Sequence, residues 1–191
     1  MRKLVLALTV VVVGALAIAG AVALAHDNNG RSFKAQLIGF EEVPSESTPG
    51  HGNVRLRVTG GGTGIHYRLH YEDFEAAEGS TLFAHIHFGQ RGVNGGVSAF
   101  LCGGGDKPPC TPTEGTFEGD IDAADVVGPS GQGIAAGELT ELIRAMKRGY
   151  TYANVHTTLN PAGLIRGQIF KGRHGRGDDD RGSNGKGKGR K

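Results

Sequence analysis

Tryptophan is absent from the 191-residue chain, aromatic residues make up only 6%, and cysteine occurs just twice. No Gly-x-Ser-x-Gly elbow occurs and no serine sits in a triad context, which removes the usual nucleophilic hydrolases. The glycine run at 60–64 lacks the following lysine and helix that a phosphate-cradling loop needs. Glu72, Asp73, Glu75 and Glu78 crowd one link and read as a solvated stretch, not as a paired acid and base. With no CxxC spacing, the two cysteines do not suggest a thiolate metal site. No aromatic residue lies among the basic ones of the C-terminal tail, so nucleic acid is not expected as a partner.

Glycine, by contrast, is abundant at 34 residues, which points to many turns and a loop-rich β fold. Residues 1–25 read as a signal peptide: Arg2-Lys3, then an uncharged apolar run, then Ala23-Leu24-Ala25 as a small-x-small cleavage site. The run is long enough that an uncleaved N-terminal anchor is the alternative. Either way the mature chain is expected to be secreted or extracytoplasmic, in the cell envelope. In that compartment Cys102 and Cys110 are expected to form a disulfide closing a short loop. Residues 26–32 form a polar lead and 33–170 one domain. Residues 171–191 form a disordered, basic, glycine-rich tail with eight Lys/Arg against three Asp. The body at 26–170 has eleven Lys/Arg against sixteen Asp/Glu, so a near-neutral total conceals an acidic body and a basic tail. The tail is expected either to keep the chain soluble or to attach it to an anionic surface.

Within the domain, alternation dominates. Val54, Leu56 and Val58 share one face against Arg55 and Arg57; Ile65, Tyr67, Leu69 and Tyr71 share one against His66, Arg68 and His70. Further strands are read at 33–39, 82–88, 97–101, 115–121, 150–156 and 164–169. One helix is expected at 138–148, with Leu139, Leu142, Ile143 and Met146 on one stripe and Gly149 as its stop. Short strands with turns between them predict a mainly β fold. The expected form is an antiparallel, Greek-key-like β-sandwich or flattened barrel with one short helix.

The sharpest chemical signal is Ala84-His85-Ile86-His87-Phe88-Gly89. Strand side chains alternate, so His85 and His87 point the same way, away from Ala84 and Ile86. Tyr152-Ala153-Asn154-Val155-His156-Thr157 supplies a third strand histidine. Three neutral imidazoles suit copper or zinc, and copper competes best for nitrogen ligands; the alternative is a hydrogen-bonded structural cluster. If the strand at 65–71 forms a hairpin with that at 82–88, His66 faces His87, and His66 and His70 become additional candidates. Arg166 and Gln168, on the last strand, are candidates for a structural clamp or an anion clamp.

Four stretches then resemble a known family. They are Gly39-Phe40-Glu41-Glu42-Val43-Pro44, Ala84-His85-Ile86-His87-Phe88-Gly89, Gly149 through Thr157, and Asn160 through Ile169. In this order they are similar to the CHRD domain, named after repeats in chordin and common in bacterial exported proteins. The resemblance covers about residues 33–169. It departs at Leu164, where the family usually carries an acidic residue. It implies an immunoglobulin-like or superoxide-dismutase-like β-sandwich and no established enzyme activity. A weaker likeness, to copper/zinc superoxide dismutase, matches His85, His87 and His156 to the copper ligands and Arg166 loosely to the arginine. No zinc-binding loop follows Gly89, so the likeness implies at most a copper-type half-site.

Together these features predict a non-enzymatic binding or structural module of the cell envelope, with an unidentified extracellular protein or envelope polymer as its partner. The alternative is a copper-binding protein with metal handling or weak dismutase-like redox activity.

Overall fold

The computed structural model describes residues 31–172; the expected leader at 1–25 and the tail beyond residue 172 lie outside the described residues. The chain runs through β1 (Ser32–Ile38), β2 (His51–Thr59), β3 (Gly64–Glu72), β4 (Thr81–Phe88), β5 (Gly96–Cys102) and β6 (Gly115–Ile121). It continues through α1 (Leu139–Arg148), β7 (Thr151–Thr157), β8 (Ile165–Gln168) and β9 (Phe170–Lys171). All pairs are antiparallel, in the order β5-β4-β7-β8-β1-β2-β3-β6, with β9 added beside β1. The outer strands β5 and β6 approach each other, so the sheet curls into a nearly closed, barrel-like form. Among the described residues no helix is long and apolar enough to cross a membrane.

The alternating residues fill the interior as their period requires. Val54, Leu56, Ile65, Tyr67, Leu69 and Tyr71 are all buried. The Tyr67 hydroxyl crosses the barrel to donate to Leu101 O at 2.8 Å, so its polar end is satisfied inside the core. The helix adds Leu139, Leu142, Ile143 and Met146 to the same core. Gly149 ends it in the left-handed region (φ 77°), its N–H reaching back to Ala145 O and Met146 O. Cys102 and Cys110 form the expected disulfide, with Cα atoms 5.2 Å apart, in the loop between the two outer strands.

One supposed pairing does not form. β3 lies between β2 and β6, whereas β4 lies between β5 and β7, so no hairpin joins β3 to β4. The link between them is a spacer with structure of its own. Phe74 is buried and stacks on Tyr71 at 5.1 Å. The Glu78 carboxylate accepts the Glu75 N–H at 2.8 Å and closes a short turn, so this acidic stretch is partly inside the fold. At the far end, β9 pairs Phe33 with Lys171 and Lys34 with Phe170.

The seam between β1 and β8 is close. A Cβ built on Gly167 would lie 1.8 Å from Gln36 O, a backbone atom with no freedom to retreat. Gly167→Ala should therefore lower the unfolding free energy by at least about 2 kcal/mol, the range of core overpacking. Urea denaturation followed by circular dichroism measures it, and an unchanged midpoint would show that the seam is not strained by the added methyl.

Candidate metal centre

The centre is built by two neighbouring strands. Ala84 and Ile86 of β4 point into the core, which turns His85 and His87 to the other face. Pairing with β7 sets Phe83 opposite His156, His85 opposite Asn154 and His87 opposite Tyr152. Pairing of β7 with β8 sets Asn154 opposite Arg166 and Tyr152 opposite Gln168. One sheet face thus carries three histidines, an asparagine, a tyrosine, an arginine and a glutamine. This face is not open to water: His85, His87 and His156 are 3%, 7% and 5% exposed.

The three rings meet. Centroids are 4.4 Å apart for His85–His87, 4.5 Å for His85–His156 and 5.9 Å for His87–His156. One ring nitrogen from each lies within 4.8 Å of the other two. His87 Nδ1 is 2.9 Å from Gly95 O, and His156 Nδ1 is 3.0 Å from Pro161 O. A carbonyl only accepts, so each Nδ1 carries the proton and each Nε2 presents a lone pair. Those two Nε2 atoms, together with His85 Nδ1, are buried with no hydrogen-bond partner among the described residues. Buried nitrogens without partners are costly. Three clustered neutral rings, two of them oriented by backbone carbonyls so that Nε2 is a lone pair, suit a metal ligand set, so these residues fit a copper or zinc ion.

Aromatic rings wall the site. Phe83 stacks on His85 at 5.2 Å, Phe100 meets His85 edge-on at 5.3 Å, and Tyr152 lies parallel on His87 at 4.6 Å. Burial pushes the imidazolium pKa values down, to about 2 for His85 and about 4 for His87 and His156. For His85 the neighbouring histidines add to burial; for His87 and His156 the bonds to Gly95 and Pro161 partly oppose it. All three rings are neutral at physiological pH, the form that binds metal.

Arg166 and Gln168 hold the covering loop at 89–96. Arg166, 2% exposed, donates to Asn94 Oδ1 (2.9 Å), Val93 O (2.8 Å) and Gln90 O (3.3 Å), and its guanidinium lies 3.5 Å over the Tyr152 ring. Gln168 Nε2 donates to Gly89 O (3.0 Å) and Gly149 O (2.7 Å). These contacts place the loop whose Gly95 carbonyl orients His87.

His66 and His70 do not join the centre. They lie on β3, on another wall, and engage surface groups. His66 is 3.1 Å from both Glu118 and Asp120, and His70 is 3.0 Å from Thr116 and 3.3 Å from Glu72. The missing β3–β4 hairpin is the physical reason. Two residues that sequence reasoning did not single out do lie beside the site. Asn154 donates from Nδ2 to both oxygens of Glu42, at 3.0 and 3.1 Å. Glu42 is 6% exposed, and burial raises its pKa to about 7, with Arg166 and Asn154 pulling the other way. The alternation that puts Tyr152 and His156 on one face also put Asn154 there; Glu42 gave no such signal.

The family model described as the CHRD domain matches residues 33–169, more than half of the chain. No curated protein matches, and no solved structure does.

The burial of the histidines sets the acid stability. Unfolded, each takes up a proton near its ordinary value of 6.5; folded, only near about 4 or below. Their contribution is therefore full above about pH 6.5 and lost as pH falls toward 4, at up to about 1.4 kcal/mol per pH unit for each. Glu42 runs oppositely: its contribution is full below the ordinary 4.5 and lost as pH rises through about 7. With three groups against one, unfolding free energy should rise between pH 4.5 and 6.5. Urea titrations across that interval check it, and a flat or falling profile would contradict the burial of the histidines.

Proposed function

The chain belongs to the CHRD domain family, and we propose that it is an exported, non-enzymatic module of the cell envelope that binds one transition-metal ion, copper before zinc, through His85, His87 and His156. One observation carries this reading. The three rings bring one nitrogen each within 4.8 Å of the others, each ring has a buried nitrogen without a partner among the described residues, and carbonyl contacts make two of those unpartnered nitrogens lone pairs. A purely structural histidine network would be expected to use those nitrogens on one another or on neighbouring donors.

The order of metals follows from the donors: imidazole suits both ions, and copper binds nitrogen ligands more tightly than zinc. Copper held there supplies a redox-active ion. The chain's own groups orient the ligands and keep water away: Gly95 O and Pro161 O fix two rings, and Phe83, Phe100 and Tyr152 enclose them. A dismutase role is not favoured, because the segment between Gly89 and Thr113 contains no histidine with which to build a zinc loop. Export is supported by the apolar leader sequence and by the disulfide. The basic tail suits an anionic envelope polymer or surface.

Titration of the purified protein with Cu(II), followed by electron paramagnetic resonance, tests the reading. One equivalent should bind with hyperfine structure from imidazole nitrogens. The double variant His85→Ala, His87→Ala should lose affinity by more than the roughly 100-fold that removing an outer-shell partner costs. Full stoichiometric copper retained by that variant would sink the assignment.

A further inference from the structure

Three neutral imidazoles bring no negative charge to a cation. An ion entering this centre would be enclosed by aromatic rings on a face that already holds the Arg166 guanidinium. Buried charge is costly unless it is paired, and a buried carboxylate of the chain is one group that can pair it.

The ionisable groups around the chamber can be taken element by element. β4 brings His85 and His87; β7 brings His156 and the Tyr152 phenol; β8 brings Arg166. The stretch 158–164 brings none. In the covering loop, Arg91 is spent on Glu41 at the surface. The loop after β1 brings Glu42 and, farther out, Glu46. The only buried carboxylates among the described residues are Glu42 and Glu78, and Glu78 is occupied in accepting the Glu75 N–H. Glu42 is held at the site: Asn154 Nδ2 bonds both its oxygens, and a Cβ on Gly163 would fall 2.6 Å from Glu42 Oε1 and from Asn154 Nδ2. The same Asn154 stands directly across from His85 in the β4–β7 ladder and two residues from His156 on the same face. Its Oδ1 has no partner among the described residues.

We infer that Glu42 is the charge-compensating group of this centre: when a divalent cation enters the three-histidine site, Glu42 releases its proton to solvent and remains as the carboxylate, positioned by Asn154. The inference rests on the metal-binding reading above. The balance is simple: one cation enters, one proton leaves, and no redox step is involved. Because burial holds Glu42 near half-ionised around pH 7 in the metal-free protein, the exchange occurs in the physiological range. The histidines are neutral there and contribute no proton. Metal affinity should therefore increase with pH up to about 7 and then level off. Glu42 acts here as a positioning and charge-balancing residue, not as a ligand.

The test uses the full chain and Zn(II), which is redox-inert. Isothermal titrations at pH 6 to 8, in buffers of differing ionisation enthalpy, count the protons released. At pH 6, wild type should release at least about 0.4 proton more per zinc than Glu42→Gln, which has the same shape but no charge, the count expected when a midpoint of about 7 falls by one unit or more. Wild type should also bind at least about tenfold more tightly than the variant at pH 8, matching a carboxyl shift of one unit or more. Equal proton counts in the two proteins would overturn the inference while leaving the metal site intact; no zinc binding by wild type would overturn both. A second measurement does not need the variant: carbon-13 nuclear magnetic resonance of the Glu42 carboxyl in wild type, with and without Zn(II). Its midpoint should fall by at least about one pH unit on loading, and an unmoved midpoint would overturn the inference.

Discussion

Both faces of the β4–β7–β8 wall are buried, and much of the remaining architecture answers that constraint. The inner face is apolar and needs only the core. The outer face carries His85, His87, Tyr152, Asn154, His156, Arg166 and Gln168, whose polar atoms must find partners without water. Three connections supply them. The loop at 89–96 offers carbonyls to Arg166, Gln168 and His87; the stretch after β7 offers Pro161 O to His156; the loop after β1 offers Glu42 to Asn154. The loops are therefore part of the site's construction, and Arg166, stacked on Tyr152 while gripping the 89–96 loop, links wall and cover in one side chain.

After those partners are assigned, the remainder is informative. His85 Nδ1, His87 Nε2 and His156 Nε2 are left over, as are Asn154 Oδ1 and Gln168 Oε1, and aromatic rings enclose the three imidazoles. The three imidazoles among them are neutral and clustered. Dehydrated, clustered, neutral imidazoles suit a metal ion.

The surface histidines provide an internal contrast. His66 sits between two carboxylates and His70 between a threonine and a carboxylate, on a wall where neighbouring strands offer charged side chains to water. The same residue type hydrogen-bonds surface side chains on β3 and is a dehydrated neutral ring on β4 and β7. Environment, not identity, sets which contacts a histidine can make.

The sequence by itself determined a great deal that is local. The period of two fixed the inward sets of β2 and β3 and required His85 and His87 to share a face. The apolar stripe with Gly149 fixed the helix and its end, and the pair of cysteines in an expected exported chain fixed the disulfide. Four stretches in order were enough to bring the family within reach. What period and spacing do not encode is which strand lies next to which. His66 and His70 are additional candidates only if β3 pairs with β4, and β4 lies beside β7 and β5 instead. Glu42 meets Asn154 across 112 residues, a contact created by barrel closure and loop packing. Its burial, and the displaced ionisation that follows, belong to no local pattern. Strand neighbours are chosen by the burial of the whole chain at once, so the meeting of the three histidines and the placing of Glu42 against Asn154 were decided only by the tertiary structure.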